Sequence, residues 1–168
     1  MSEPTEVSPS GVPWRVTEVK YPAVIWERYA DALGWNLLLA WYGENWPPHG
    51  CRPGEQVFVV RDPGAVARPF DPTDHPSAWI SLTQDQFDAT NYYMSRGVWP
   101  DRHGLGLGRF MRAWVEQWVI AQGGNSVTIW VHAENEEHLD KVMADNSYWE
   151  LSAIANNPLQ FMFVHYME

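Results

Sequence analysis

The sequence predicts one mixed α/β (α+β) domain whose sheet is largely antiparallel. Three observations lead there. Its 168 residues suffice for one buried core and are too few for two. Segments with an apolar period of two and segments with a period near 3.6 alternate along the chain. Their order is strand, two helices, three strands, helix, strand, helix, two strands, with no repeat and no low-complexity stretch.

Each element has a local reason. Met1–Pro13 is polar and rich in Pro and Ser, which predicts a flexible tail before a domain spanning 14–168. Trp14–Lys20 alternates and reads as a strand. Pro22 opens a helix to about Leu33, with Ile25, Tyr29 and Leu33 as its apolar stripe and Gly34 as its stop. Trp35–Tyr42 reads as a short second helix. Glu44–Gly54 and Asp62–Pro76 are too rich in Pro and Gly to be anything but loop. Gln56–Arg61, Ala78–Thr83 and Asn91–Val98 read as strands. Leu107–Gln122 carries Leu107, Phe110, Met111, Trp114, Val115, Trp118 and Val119 at helical spacing, and Gly123-Gly124 ends it. Val127–Ala133 is a strand, and Asn135–Ala144 a helix with Asn135 as N-cap and His138 at the capping-box position. Trp149–Ala155 and Gln160–Met167 are closing strands around an Asn156-Asn157-Pro158 turn.

Composition narrows the function classes. Eleven Lys and Arg against 21 Asp and Glu give a net charge of −10, which argues against gripping nucleic acid or an anionic membrane by bulk charge. The single cysteine, Cys51, excludes an internal disulfide framework and a multi-cysteine metal site. The longest apolar run, Leu37–Tyr42, is far below the roughly 20 residues of a membrane helix, and no secretory leader opens the chain. A cytoplasmic protein without a metal is the expectation. Tryptophan is in excess at 11 residues, and Trp114 and Trp118 are placed in the core by their spacing.

The segment that carries chemistry is Gly97–Arg109, GVWPDRHGLGLGR. A strand runs into a turn with Gly104, Gly106 and Gly108 at alternate positions, and a helix follows. Glycine permits positive φ and close backbone approach. A helix start presents unpaired N–H groups and the positive end of a dipole, which suits a phosphate. The same spacing also fits a plain strand-to-helix turn. It is not a P-loop, because no Gly-Lys-Ser/Thr follows, and no βαβ frame precedes it as in a dinucleotide-binding fold.

This segment resembles motif A of the GCN5-related N-acetyltransferases, the GNAT superfamily. Val98-Trp99-Pro100 matches the family's strand end, and His103-Gly104-Leu105-Gly106-Leu107-Gly108 matches its loop. The likeness continues for about fifty residues, to Asn135 and the helix after it. The resemblance implies a sheet of six to seven strands, about four helices, and acetyl-CoA or another acyl-CoA bound where two parallel central strands splay. Arg96, Gly97 and Val98 would pair with the pantetheine arm. His103, Gly104, Leu105, Gly106, Leu107, Gly108 and Arg109 would hold the pyrophosphate, and Asn135 stands at the family's asparagine. The implied activity is acyl transfer from the CoA thioester to an amine by direct attack.

Some positions depart from the family. His103 stands where Gln or Arg is usual, Asn146-Ser147 where Gly-Phe is usual, and Val142 where a tyrosine protonates the departing thiolate. Either another residue, such as Tyr148, takes its part, or the thiol leaves through water, or the enzyme is altered. His132 and Glu134, on one strand face by alternation, are candidate bases; Tyr92, Tyr93 and Ser95 are unranked alternatives. Trp41, Tyr42, Glu44 and Trp46 fall where the family walls its acceptor pocket, and aromatics with a carboxylate suit a cationic or flat acceptor. A small-molecule amine or a peptide amine is the expected partner. Exposed aromatics would also suit a second copy of the chain. Two other readings stand beside an acyltransferase. One is the same fold binding CoA or another anion without turnover, which Val142 favours. The other is modification of an unusual acceptor such as a nucleobase or a conjugate.

Overall fold

The structure is a computed structural model; it describes residues 8–18, 54–62, 77–98 and 104–167. The expected helices Pro22–Leu33 and Trp35–Tyr42 lie outside these residues. The described strands are β1 (Arg15–Glu18), β2 (Glu55–Arg61), β3 (Ala78–Gln84), β4 (Asn91–Val98), β5 (Ser126–His132), β6 (Glu150–Ala155) and β7 (Gln160–Tyr166). The described helices are α1 (Leu107–Ala121) and α2 (Glu136–Ala144). The strands form one sheet in the order β1-β2-β3-β4-β5-β7-β6. β4 and β5 are parallel, while β1/β2, β5/β7 and β6/β7 are antiparallel. The sheet is therefore mixed, as the sequence predicts.

The chain divides into two compact units, Met1–Leu82 with Ser95–Trp114, and Thr83–Met94 with Val115–Glu168. β3, β4 and α1 run through both. In the first unit Phe58, Val60, Ile80, Leu82, Leu107 and Met111 are buried, and Trp114 meets Phe58 edge-on at 4.8 Å. Residues expected to belong to a flexible tail are tied down from Ser8 onward. Ser8 is buried and its hydroxyl donates to the Val12 carbonyl at 2.6 Å, while the Ser10 N–H donates to Asp62 Oδ2 at 3.1 Å.

In the second unit Tyr92, Met94, Val119, Val127, Ile129, Val131, Trp149 and Phe163 are buried. Trp118 meets Tyr92 edge-on at 5.4 Å. The buried residues of α1 are Leu107, Met111, Val115 and Val119, a spacing of four, and Trp114 and Trp118 flank that stripe half-buried. Their expected place in the core is corrected accordingly: large rings are seldom enclosed on all sides. The helix ends in a Schellman motif, with Gly123 N–H donating to Ile120 and Gly124 N–H to Val119. Gly123 has φ +86°, and a Cβ on Gly124 would meet Val119 Cγ1 at 2.5 Å. Two different constraints thus demand the two glycines.

Candidate functional site

The start of α1 is built from glycine. Gly104 has φ +80° and Gly106 φ +78°, the left-handed region that side chains with a Cβ avoid. The Gly106 carbonyl accepts the first helical bond, from Phe110 N–H at 3.1 Å, so Gly106 is the N-cap. Lacking a side chain, it cannot cap the N–H groups of Leu107, Gly108 and Arg109. The first turn of α1 has no acidic residue. A Cβ on Gly104 or Gly108 would meet nothing within 4 Å, so neither glycine is held by packing at its Cβ position. An anion suits such a helix start, because the donors and the dipole are present.

Arg96 adds a cation. It alternates with Met94 and Tyr92 on β4, and its Nη1 donates to the Gly108 carbonyl at 3.1 Å. The strand is therefore joined to the first turn of the helix by a charge-assisted bond. Leu105 is half-buried, Leu107 buried, and Gly108 and Arg109 exposed. His103 lies outside the described residues, as do Trp41, Tyr42, Glu44 and Trp46.

The second unit holds the remaining candidates. The parallel β4/β5 ladder has three pairs, Asn91↔Ser126, Tyr92↔Val127 and Tyr93↔Thr128. A buried amide fixes its beginning: Asn91 Oδ1 accepts from Ser126 Oγ and Thr128 Oγ1, both at 2.8 Å, and Asn91 Nδ2 donates to Asp85 Oδ2 at 3.2 Å. The Phe87 N–H bonded to Asp85 holds its carboxyl below the usual range, against the opposing effect of burial. Burial pushes the Tyr93 hydroxyl up, and the Asp85 charge and hydrogen bond add to the shift.

β5 stops at His132, one residue earlier than expected, because the His132 carbonyl accepts from Asn135 N–H at 3.0 Å and closes a turn. Glu134 sits in that turn and not on a strand face, which corrects the alternation argument for it. Both His132 and Glu134 are exposed. Asn135 caps α2, its Oδ1 accepting from His138 N–H at 3.3 Å. Val142, at the family's tyrosine position, is buried.

Tyr148 belongs to a cluster that local sequence did not reveal. Its hydroxyl donates to Glu116 Oε1 at 2.5 Å, and His165 Nε2 lies 3.2 Å from the same oxygen. His165 Nδ1 donates to the Tyr148 carbonyl at 2.8 Å, the donor being set by a partner that can only accept. The two rings stack at 3.5 Å and 4°, with Trp149 edge-on to Tyr148 at 4.9 Å. Partners 17 and 32 residues apart leave no periodic trace. Arg96 did leave one: it is a charged residue in register with the buried Tyr92 and Met94.

Among the described residues no group of His, Cys, Asp and Glu could hold a metal ion, and no helix is long and apolar enough to cross a membrane. No model of a known protein family matches the sequence, and no curated protein matches it. Solved structures do resemble it. The GNAT domain of S. lividans PAT superposes with a TM-score of 0.61 at 10% identity, covering 96% of this chain and 94% of that one. Spermidine/spermine N-acetyltransferase from Vibrio cholerae gives 0.53 at 10% identity, covering 92% and 91%. A Bacillus anthracis structure assigned as a streptothricin acetyltransferase, in complex with acetyl coenzyme A, gives 0.52 at 10% identity, covering 70% of this chain and 65% of that one. At such identities the likeness is one of fold.

Proposed function

From a chain with the fold of the GNAT acetyltransferases, we propose an acyl-CoA-dependent N-acyltransferase that moves an acetyl or short acyl group to an amine. The observation that carries this reading is the start of α1: a glycine N-cap, left-handed turns at Gly104 and Gly106, and no first-turn carboxylate. Acyl-CoA supplies a thioester, an activated acyl group with a thiolate to leave. The chain's part is to hold it. The N–H groups of Leu107, Gly108 and Arg109 take the pyrophosphate oxygens, with Gly104, Leu105 and Gly106 shaping the turn, and the Arg96–Val98 backbone takes the pantetheine amides. A backbone N–H near Gly97 polarises the thioester carbonyl.

The attacking amine loses a proton, for which the chain offers His132 and Glu134, both exposed. Tyr148 is the proposed proton donor to the leaving thiolate, its hydroxyl oriented by Glu116. Asn135 is assigned to the donor side as well as to its capping role. The acceptor is a small-molecule or peptide amine whose positive charge the acidic chain attracts, and Trp41, Tyr42, Glu44 and Trp46 are the residues proposed to enclose it.

Acetyl-CoA is expected to raise the melting temperature, because a ligand that binds only the folded state stabilises it. Free-thiol release over a panel of amines then reports turnover. Replacing the true base among His132 and Glu134 by Ala should lower kcat. The buried Val142 favours a second reading, CoA binding without turnover: a thermal shift with no thiol release from any amine supports that one.

A further inference from the structure

The two faces of β5, β7 and β6 are furnished differently. Alternation and register put Val127, Ile129 and Val131 on the face of Tyr92, where Trp118 of α1 packs, and all three are buried. Thr128, Trp130 and His132 lie on the other face. Thr128 belongs to the last β4/β5 pair and is buried, while Trp130, the next residue on that face, is 40% exposed. Trp130 pairs with Met162 on β7, and Met162 with Ala153 on β6. The bulge between Leu151 and Ala153 sets Ala153, not Ser152, at that position. The row Trp130, Met162, Ala153 is therefore uncharged and falls in size from an indole to a methyl. Charge stands on either side of it: exposed Glu150 is level with Thr128, and exposed Glu134 follows His132 in the turn.

We propose, resting on the acyl-transfer reading, that Trp130 is the platform for the body of the acceptor, and that the acceptor is an aryl-alkyl amine: a flat ring joined by a short chain to the reacting nitrogen. Position supports this occupant. Trp130 stands one side-chain step, roughly 7 Å along the strand, beyond Thr128, and the same distance short of His132, one of the two proposed bases. A nitrogen at His132 and a ring over Trp130 are thus within the span of one small molecule. Chemistry points the same way. The row offers a π-face, a thioether and a methyl, which take an apolar body and give a second cation no carboxylate to pair with. An aromatic ring set offset or edge-on to the indole gains more than the area it buries. Glu150 and Glu134 on either side attract the ammonium that the amine carries in water. Trp130 is in this way a specificity-determining residue: it selects among amines and takes no part in the proton transfers.

In the proton–nitrogen correlation spectrum of the isotopically labelled full chain, the Trp130 indole signal is the one lost in Trp130→Phe. Phenethylamine is expected to move that signal to a plateau, and ethylamine at equal concentration to leave it in place. In thiol-release assays the ratio of kcat/KM for phenethylamine over ethylamine should fall roughly tenfold in Trp130→Ala, and less in Trp130→Phe, which keeps a ring. Should Trp130→Ala fail to fold, Trp130→Leu replaces it with the same expected loss. An indole signal indifferent to phenethylamine, an equal response to both amines, or a ratio unchanged by the substitution overturns the proposal. So does a signal that moves with protein concentration and not with amine, which marks a second copy on this face. If acetyl-CoA leaves the melting curve unmoved while the signal still saturates with phenethylamine, the acyl-transfer reading falls and the amine site stands.

Discussion

The two described helices begin in opposite ways. α2 satisfies its own start: Asn135 accepts from the His138 N–H, and Glu136 and Glu137 place two carboxylates in the first turn, against the positive end of the dipole. α1 does neither. Its N-cap is Gly106, no carboxylate stands in its first turn, and the Arg96 cation donates to the Gly108 carbonyl. A sequence selected only for stability would cap both. The difference is the one that the proposed binding of an anionic acyl donor at the start of α1 requires.

Four substitutions would break or sharpen this contrast. Gly106→Val has the largest expected effect: it forces a β-branched residue to φ +78°, costs about 1–2 kcal/mol of stability, and abolishes the acetyl-CoA thermal shift. Next comes Gly108→Glu, which gives α1 the first-turn carboxylate that α2 already has. The ligand-free protein should gain about 0.3–1 kcal/mol from the dipole, while acetyl-CoA affinity measured calorimetrically falls roughly tenfold or more from like-charge repulsion. These opposite signs distinguish a binding role from a folding one. Asn135→Ala removes the internal cap of α2 and should cost about 1 kcal/mol in chemical denaturation.

The smallest effect concerns acid. Asp85 has its folded pKa below the unfolded value, so the stability it contributes is present above the unfolded pKa of about 3.9 and is lost as pH falls through the folded one. Asp85→Asn should flatten that limb of the stability-versus-pH curve below about pH 4. An unchanged limb would assign acid lability elsewhere.

Much of the fold was legible because its causes are local. Asn91–Val98 has the limits expected for it as a strand, and Gly123-Gly124 ends α1 where two glycines in sequence predict. The glycine turn at Gly104–Gly108 was legible for the same reason, since positive φ selects the residue directly. What escaped is non-local. Asn91 meets Ser126 and Thr128, and Glu116 meets Tyr148 and His165, across separations of 32 residues or more. The end of β5 was misplaced by one residue because a backbone carbonyl, not a side chain, closes its turn. Trp114 and Trp118 were placed too deep because a helical stripe gives direction and not depth.

The central claim is that the uncapped start of α1 binds the acyl donor. The most direct measurement is the melting temperature of the wild type and Gly108→Glu with and without acetyl-CoA. At a hundredfold excess over Kd the ligand should add about 2.7 kcal/mol, a rise of roughly 5–10 °C for a chain of this size, and Gly108→Glu should lose most of that rise while melting no lower on its own. A wild type whose melting curve is unmoved by millimolar acetyl-CoA, or a Gly108→Glu protein that keeps the full shift, would contradict it.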